Sequence, residues 1–345
     1  MTPRERVWMA INHQQPDYTP YELPIDGAVY ARLDEHYCGQ EWRARIVPHV
    51  ARFGIGDGRV ALDDGGGDDG SGYQDAWGCI WHSKNIFHTT EVPLPKPSLD
   101  GYEMPALLTE EVIGNLRQTA QANAASDSPR FFVAGSGMTF FERAWALRGM
   151  ENLLLDLVAN PEFANLLFDR LMEWHMPMIE AFGAIPEVDA LFFGDDFGAQ
   201  QGLIMGTKWF REYLKPRLKI MYGRAHELGK RVYIHSCGDN SSIIEDLIDI
   251  GVDVFNPFQP EAQDIYALKR EYGKYIIFEG GIGTQHLLPS APPTASARKS
   301  AASRPKSART AGSSSVRRSR SCRMSLRRTR WRAWRRCWKA LMNAE

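Results

Sequence analysis

Short apolar runs alternate along this chain with longer stretches in which apolar residues recur at helical spacing. The short runs are rich in β-branched and aromatic residues and predict buried strands at Phe131–Ala134, Ala190–Phe193, Val232–Ile234, Val252–Phe255 and Tyr275–Phe278. The stretches between them predict amphipathic helices at Met150–Val158, Pro161–Phe182, Thr207–Leu228, Ser242–Ile250 and Ile265–Tyr272. Because strands that alternate with helices form a parallel sheet with helical crossovers, this pattern predicts an α/β fold.

Glycine and polar residues follow nearly every predicted strand. In a (β/α)8 barrel the carboxyl ends of the strands form the active site, so this distribution is typical of a barrel enzyme. A doubly wound sheet would also bind ligands there, but no G-x-G-x-x-G fingerprint opens a helix after the first strand. We therefore expect a (β/α)8 TIM barrel.

The tripeptide His235-Ser236-Cys237 ends one of these strands. Because strand side chains alternate between faces, His235 and Cys237 point the same way and Ser236 points the other way. Imidazole nitrogen and thiolate sulfur are ordinary ligands of Zn²⁺, so the pair predicts a metal site. The alternative for so short a motif is a histidine and a small cysteine that both pack in the core.

Two acids, Asp195 and Asp196, follow another buried strand. We expect at least one to be catalytic, as a general acid or base or as a hydrogen-bond partner of a ligand histidine. Helix capping combined with a surface carboxylate is the alternative. Gln200 and Gln259 are candidates for binding substrate amides or carboxylates, or for satisfying loop backbone.

Three tryptophans and one cysteine lie in apolar surroundings. Trp77, Trp81 and Trp145 are expected in the core or a pocket wall rather than around a cofactor. Cys79 lies in an apolar run and is expected to contribute packing alone.

Arg143 and Arg148 fall about one turn apart on a predicted helix. They could form ion pairs with Glu142 or Glu151, or they could bind an anion. The acidic, glycine-rich stretch at 63–70 resembles a Ca²⁺ loop in composition, but we expect a solvated loop.

Length, composition and cysteine spacing limit the class of protein and its compartment. The 345 residues, 43% of them apolar, could form two average domains or one large barrel.

No run of eighteen apolar residues occurs, and the first residues lack the apolar core of a signal peptide. The five cysteines have no regular spacing that suggests disulfides. We therefore expect a cytoplasmic protein without a membrane segment.

The basic residues are concentrated at the end of the chain. Residues 290–345 contain 16 of the 41 Lys and Arg but one of the 42 Asp and Glu. A disordered tail that binds nucleic acid is one interpretation, because such a segment neutralises phosphates and cannot form a core. We favour translation out of frame over 290–338, because a shifted frame can encode the helix, strand and helix that the barrel still needs. On this hypothesis 1–289 is an incomplete barrel, 339–345 is an in-frame remnant, and nucleic acid is not a partner.

The motifs together resemble those of the uroporphyrinogen decarboxylase superfamily, which includes zinc-dependent corrinoid:thiol methyltransferases. The resemblance extends to Pro289 and is carried by Thr2-Pro3-Arg4-Glu5-Arg6-Val7, Asp75-Ala76-Trp77-Gly78, Phe141-Glu142-Arg143-Ala144-Trp145, Gly194-Asp195-Asp196-Phe197-Gly198, His235-Ser236-Cys237-Gly238, Asn256-Pro257 with Gln259-Pro260, and Gly280-Gly281-Ile282-Gly283-Thr284-Gln285. It implies a (β/α)8 barrel with its site at the carboxyl face.

The methyltransferase branch uses a His-x-Cys pair and a later cysteine to hold Zn²⁺. The resemblance therefore implies Zn²⁺ on His235 and Cys237, a small thiol acceptor, and a corrinoid as methyl carrier, which a separate corrinoid protein could supply. No cysteine matches the third ligand, and Glu279 could replace it or be a structural acid. Asn256 and Gln285 join Gln200 and Gln259 as candidate substrate-binding residues.

Decarboxylation of a porphyrinogen is the second activity that the resemblance implies. True decarboxylases carry arginines in an N-terminal segment that bind the substrate's carboxylates, whereas residues 19–27 contain no arginine. This departure argues against a porphyrinogen substrate. A non-catalytic protein that binds corrinoid or nucleic acid is the third possibility, and it requires the basic tail to be native.

Overall fold

The computed structural model describes residues 1–23, 25, 27–61, 72–82 and 88–286. Its strands are β1 Val50–Gly54, β2 Val60–Ala61, β3 Gly72–Gln74, β4 Ile80–His82, β5 His88–Glu91, β6 Phe131–Ser136, β7 Ala190–Gly194, β8 Gly198–Ala199, β9 Gly202–Leu203, β10 Arg231–His235, β11 Val254–Phe258 and β12 Ile277–Gly280. Its α-helices are α1 Pro3–Ile11, α2 Gly27–Tyr37, α3 Glu110–Ala124, α4 Phe141–Arg148, α5 Met150–Ala159, α6 Pro161–Gly183, α7 Gly206–Trp209, α8 Lys215–Glu227, α9 Ile244–Asp249 and α10 Ile265–Tyr272.

Six parallel strands form the central sheet in the order β1-β6-β7-β10-β11-β12. Helices connect consecutive strands, as the alternating sequence pattern predicts. The predicted α/β barrel class is therefore confirmed over the part of the chain that the structure describes. Each of the five predicted strands is present, with ends that differ by at most three residues from the prediction.

The strands bury different side chains on their two faces. Inside the curved sheet, residues such as Val133 and Tyr233 form one buried cluster, which α1 joins through Val7 and Ile11. The outward residues pack with the surrounding helices in a second, larger cluster. This alternation follows from the period of two in a strand.

The predicted helix at Thr207–Leu228 is divided into three parts. α7 is followed by a π-helical turn at Phe210–Leu214, and α8 begins at Lys215. Phe210 and Leu214 are both fully buried, so the turn keeps the apolar side against the core.

A small antiparallel sheet, β2-β3-β4-β5, is tied to the barrel by a buried ion pair. Arg143 of α4 donates to Asp75 at 2.8 Å, and both side chains are almost completely buried. Arg148 pairs with Asp156 at 2.7 Å. Of the two alternatives that the sequence leaves open, both arginines form structural ion pairs, but with Asp75 and Asp156 rather than with Glu142 or Glu151.

The tryptophans and Cys79 lie where the sequence predicts. Trp77, Trp81 and Cys79 are buried in the large cluster, and Trp145 packs against it. The Cys79 thiol donates to the Ala146 carbonyl at 3.2 Å. These residues contribute to packing, as expected.

Two sequence expectations fall outside the described residues. They are the acidic stretch at 63–70 and all expectations on the chain after 286, including the boundary at 289 and the out-of-frame segment. Among the described residues, no helix is both long enough and apolar enough to cross a bilayer.

Candidate metal centre

Three metal-capable side chains converge at the carboxyl ends of β7 and β10. One ligand atom each from Asp196, His235 and Cys237 lies within 4.8 Å of the other two. His235 Nε2 is 3.4 Å from Cys237 Sγ and 3.7 Å from Asp196 Oδ1. No second group of this kind occurs in the described part of the chain.

The parallel pairing of β7 with β10 explains this convergence. Gly194 is the register partner of His235, so Asp196 continues from β7 beside the residues that end β10. The Asp196 carboxylate accepts the Cys237 backbone N–H at 2.7 Å. Two neighbouring strand ends therefore bring the acid and the His-x-Cys pair together.

Ser236 points away from the cluster, as strand alternation predicts. It is fully buried, accepts the Phe197 backbone N–H at 2.9 Å and donates to Asn240. The amide of Asn240 in turn donates to the carbonyls of residues 236, 237 and 238. These bonds fix the loop that carries Cys237.

Two glycines allow a second segment to pack on this loop. Gly238 has a φ of +82°, which side chains rarely adopt, and a Cβ there would lie 2.4 Å from the Gly198 backbone. A Cβ at Gly198 would lie 2.6 Å from the Cys237 carbonyl oxygen. Only glycine permits this close approach, which places the β8-β9 hairpin directly against the cysteine loop.

A hydrogen bond from Asn256 orients the histidine ring. His235 Nδ1 lies 2.6 Å from Asn256 Oδ1, an oxygen that can only accept. Nδ1 therefore carries the proton, and the lone pair of Nε2 faces Asp196 and Cys237. This is the tautomer that a metal-binding histidine needs.

The electrostatics of the cluster favour a cation. Burial, followed by the Asp196 carboxylate, raises the pKa of the Cys237 thiol to about 12. Burial also raises the pKa of Glu142 to about 8, with Asp195 and Asp196 adding to that rise. A divalent ion would relieve the repulsion among these acids and displace the thiol proton.

The donor set and its spacing fit zinc. Imidazole, thiolate and carboxylate are all common zinc ligands, and tetrahedral coordination separates ligand atoms by about 3.3–3.7 Å. The two separations of 3.4 and 3.7 Å agree with that geometry. The His235 and Asp196 side chains remain 36% and 34% exposed, so one side of the cluster is open. Three protein ligands with an open fourth position are typical of a catalytic zinc site.

Asp195 and Asp196 have different environments. The Asp195 carboxylate is buried and accepts the backbone N–H groups of residues 140, 141 and 142 at the start of α4. Burial raises its pKa to about 7, and these three hydrogen bonds oppose that rise. Asp195 thus caps a helix, whereas Asp196 lies beside His235.

Glu279 lies behind the histidine and outside the cluster. One of its carboxylate oxygens accepts from the Asn256 amide at 3.1 Å, and the other accepts from the Tyr233 hydroxyl. Burial, and then Glu22, raise the pKa of Glu279, while Arg52 opposes the rise. Glu279 is therefore not among the three grouped donors, where Asp196 accompanies His235 and Cys237, and a ligand role for Glu279 stays a prediction.

The other candidate residues are dispersed. Gln259 accepts the Gly238 backbone N–H at 3.0 Å and so satisfies loop backbone. Gln200 is exposed in the β8-β9 turn. Gln285 is also exposed, and its backbone N–H donates to the Glu261 carboxylate at 3.2 Å. Substrate binding by these residues, and by Asn256, stays a prediction.

Glu142 and Asn240 are site residues that the sequence analysis missed. Glu142 opens α4, accepts the Asp196 backbone N–H and contributes to the rise of the Cys237 pKa. No local sequence signal singles out Glu142, because a tertiary contact places the first turn of α4 beside Asp195. Asn240 lies three residues after Cys237, and nothing in its spacing indicates that it braces the loop.

Fold and site together define an α/β barrel protein with a three-ligand candidate metal centre at the carboxyl ends of its strands. A sequence model described as "Uroporphyrinogen decarboxylase (URO-D)" matches residues 109–305, more than half of the chain. The chain therefore belongs to the uroporphyrinogen decarboxylase family.

A solved structure shares this fold. It is described as a methyltransferase from Methanosarcina mazei, with a TM-score of 0.62 and 16% sequence identity over 87% of this chain and 88% of that chain. At that identity the likeness shows the fold alone. No curated protein matches the sequence.

Proposed function

We propose that this protein transfers a methyl group from a corrinoid carrier to a small thiol, with Zn²⁺ held by Asp196, His235 and Cys237. The observation that carries the proposal is the accessible cluster of these three donors. The fold that the chain shares with a methyltransferase is consistent with it. These three residues would hold Zn²⁺, which when bound would supply a Lewis acid for the acceptor sulfur and lower the pKa of its thiol.

The protein's own residues prepare the site for that ion. Asn256 keeps the proton of His235 on Nδ1, and Asp196 holds the Cys237 loop through its backbone N–H. In the transfer, the acceptor sulfur forms a bond to the methyl carbon while the carbon–cobalt bond breaks and its electron pair stays on cobalt. The acceptor thiol would release its proton to solvent at the open side of the cluster, and the product would be a methyl thioether.

Decarboxylation of a porphyrinogen is the second candidate, and the family match favours it. That substrate carries several carboxylates that need cationic partners. Residues 19–27 provide none, and Glu22 instead presents a carboxylate that holds the Arg52 guanidinium at 2.7 and 2.6 Å. We therefore rank this function below methyl transfer.

Methylcobalamin and a series of small thiols test the proposal. The zinc-loaded protein is expected to consume methylcobalamin and form methyl thioether. Cys237→Ser should abolish turnover, whereas the same substitution at the exposed Cys38 should preserve it. Metal-independent conversion of uroporphyrinogen to coproporphyrinogen, without any thiol methylation, would contradict the proposal and favour the second candidate.

A further inference from the structure

A chain of polar side chains runs from His235 into the interior of the barrel. Asn256 bonds both His235 and Glu279, Glu279 bonds Tyr233, and the Tyr233 hydroxyl accepts from Arg52 Nη2 at 2.7 Å. Barrel interiors are usually filled by branched apolar side chains, so a continuous polar chain needs an explanation.

The hydrogen bonds of this chain have a fixed direction. Arg52 can only donate, so the Tyr233 oxygen accepts from it and the Tyr233 hydrogen is directed to Glu279. The Glu279 carboxylate also accepts from the Asn256 Nδ2 group at 3.1 Å. Asn256 Oδ1 must then face His235.

This direction decides the orientation of an otherwise ambiguous amide. If Asn256 rotated by half a turn, its NH₂ group would face His235 Nδ1 and require a lone pair there. The proton would move to Nε2, and the ring would lose its donor atom for the metal. Glu279 opposes this rotation, because the rotated amide would direct its oxygen at a carboxylate.

The sheet places Asn256 for this contact. His235 and Asn256 are register partners in β10 and β11, so their side chains lie side by side. The pairing of β11 with β12 shifts register between Phe255 and Phe258, the segment that contains Asn256. Such irregularities redirect side chains, and this one lets Asn256 contact both neighbouring strands.

We propose that Asn256 and Glu279 are positioning residues that hold His235 in its metal-binding tautomer. The inference rests on the proposed metal centre and deepens it. Asn256 contacts the ligand, and Glu279 acts through Asn256. Neither residue is required to touch the metal or the methyl acceptor.

Zinc affinity, measured by competition with a chelator at about pH 8, tests the inference. Asn256→Leu removes the acceptor for Nδ1 and is expected to weaken zinc binding by about 10–100-fold, the usual effect of losing such a partner. The visible spectrum of the Co²⁺-substituted protein should also change, because the histidine is no longer held in place.

Asn123→Leu is the matched control. Asn123 makes two hydrogen bonds to the backbone of Arg130, before β6 and at the opposite end of the strands from the metal cluster. Its loss should lower stability and leave zinc affinity and the Co²⁺ spectrum unchanged. An equal loss of zinc affinity in both variants would mean that Asn256 acts only through stability.

A reversed pair keeps the test decisive if Asn256→Leu fails to fold. Asn256→Asp alone sets two carboxylates against each other and should weaken zinc binding. Asn256→Asp with Glu279→Gln restores an acceptor for Nδ1 and a donor between the two residues, and should recover affinity near the wild-type value. Failure of this rescue, or wild-type affinity in Asn256→Leu, would overturn the inference. If wild-type protein binds no zinc, the proposed metal centre itself fails.

Discussion

Glu142 is the acid whose titration the site alters most clearly. Its pKa is raised from 4.5 to about 8 by burial and by the neighbouring carboxylates. Between these values the folded protein keeps a proton that the unfolded chain has released. Stability therefore falls as pH rises from 4.5 to 8.

Glu142→Gln in the metal-free protein tests this assignment. Glutamine cannot ionise, so we expect the variant to unfold at higher urea concentration than wild type above pH 8, with a gain that disappears below pH 4.5. The gain in the free energy of unfolding is at most about 1.4 kcal/mol for each pH unit between the pKa values of the folded and unfolded protein. Glu173→Gln, at an exposed ion pair on α6, should change stability by no more than about 0.5 kcal/mol at any pH. A gain at Glu142 that does not vary with pH would contradict the raised pKa.

Sequence reasoning at the residue scale succeeded where strand periodicity applies. His235 ends β10 and Cys237 follows two residues later, and their side chains lie on the same side, as the alternation predicts. Asp195 and Asp196 follow the end of β7, where alternation no longer indicates direction, so their roles could not be separated. The hydrogen bonds at the start of α4 make that distinction, and they depend on a tertiary contact.

At the scale of elements, the β8-β9 hairpin determines the position of the cysteine loop. Gly198→Ala would insert a methyl group 2.6 Å from the Cys237 carbonyl and 3.0 Å from the Asp239 nitrogen. Because both contacts are with backbone, the hairpin or the loop must move. We expect a loss of about 1–3 kcal/mol in the free energy of unfolding and weaker zinc binding.

Gly223→Ala in α8 is the control for that substitution. A Cβ at Gly223 meets nothing within 4 Å, so alanine should be neutral or stabilise the helix by up to about 1 kcal/mol. For both variants, urea unfolding measures the free energy of unfolding and competition with a chelator measures the zinc affinity. Unchanged zinc affinity in Gly198→Ala would show that the hairpin does not position Cys237.

The elements themselves were predictable because their apolar spacing is regular. The π-helical turn at Phe210–Leu214 was not, since the apolar residues on both sides of it continue one helical pattern. The short strands of the antiparallel sheet were also missed. They are two to four residues long, too short for a periodic signal, and tertiary packing determines them.

At the scale of the whole molecule, the pair of Asp75 and Arg143 holds the antiparallel sheet against the barrel. Asp75 also accepts the Cys79 backbone N–H and the Trp81 indole N–H, so one carboxylate joins three segments. Asp75→Asn would leave Arg143 buried without a counter-charge. We expect it to lower the free energy of unfolding by about 3–5 kcal/mol.

Asp57→Asn offers the comparison for that loss. Asp57 pairs with Arg59, whose side chain is 57% exposed, and such pairs contribute about 0–1 kcal/mol. Urea denaturation of both variants measures the difference. Equal losses would show that the buried pair does not hold the two sheets together.

The barrel class and its functional end could be predicted because they follow from local periodicity and from where polar residues interrupt it. Pairings between distant segments, such as Asp75 with Arg143, could not, since no local pattern encodes them. The translation frame of 290–338 stays a prediction, and resequencing the coding DNA from the codon of Gln285 to the stop codon will test it.

The zinc content of folded, reduced protein tests the central claim most directly. After reconstitution and removal of free metal, we expect about one zinc per chain in wild type and in Cys38→Ser. His235→Ala and Cys237→Ser should retain the fold and lose the ion. A folded wild-type protein that binds no zinc, or variants that bind as much as wild type, would contradict the assignment of Asp196, His235 and Cys237 as a metal centre.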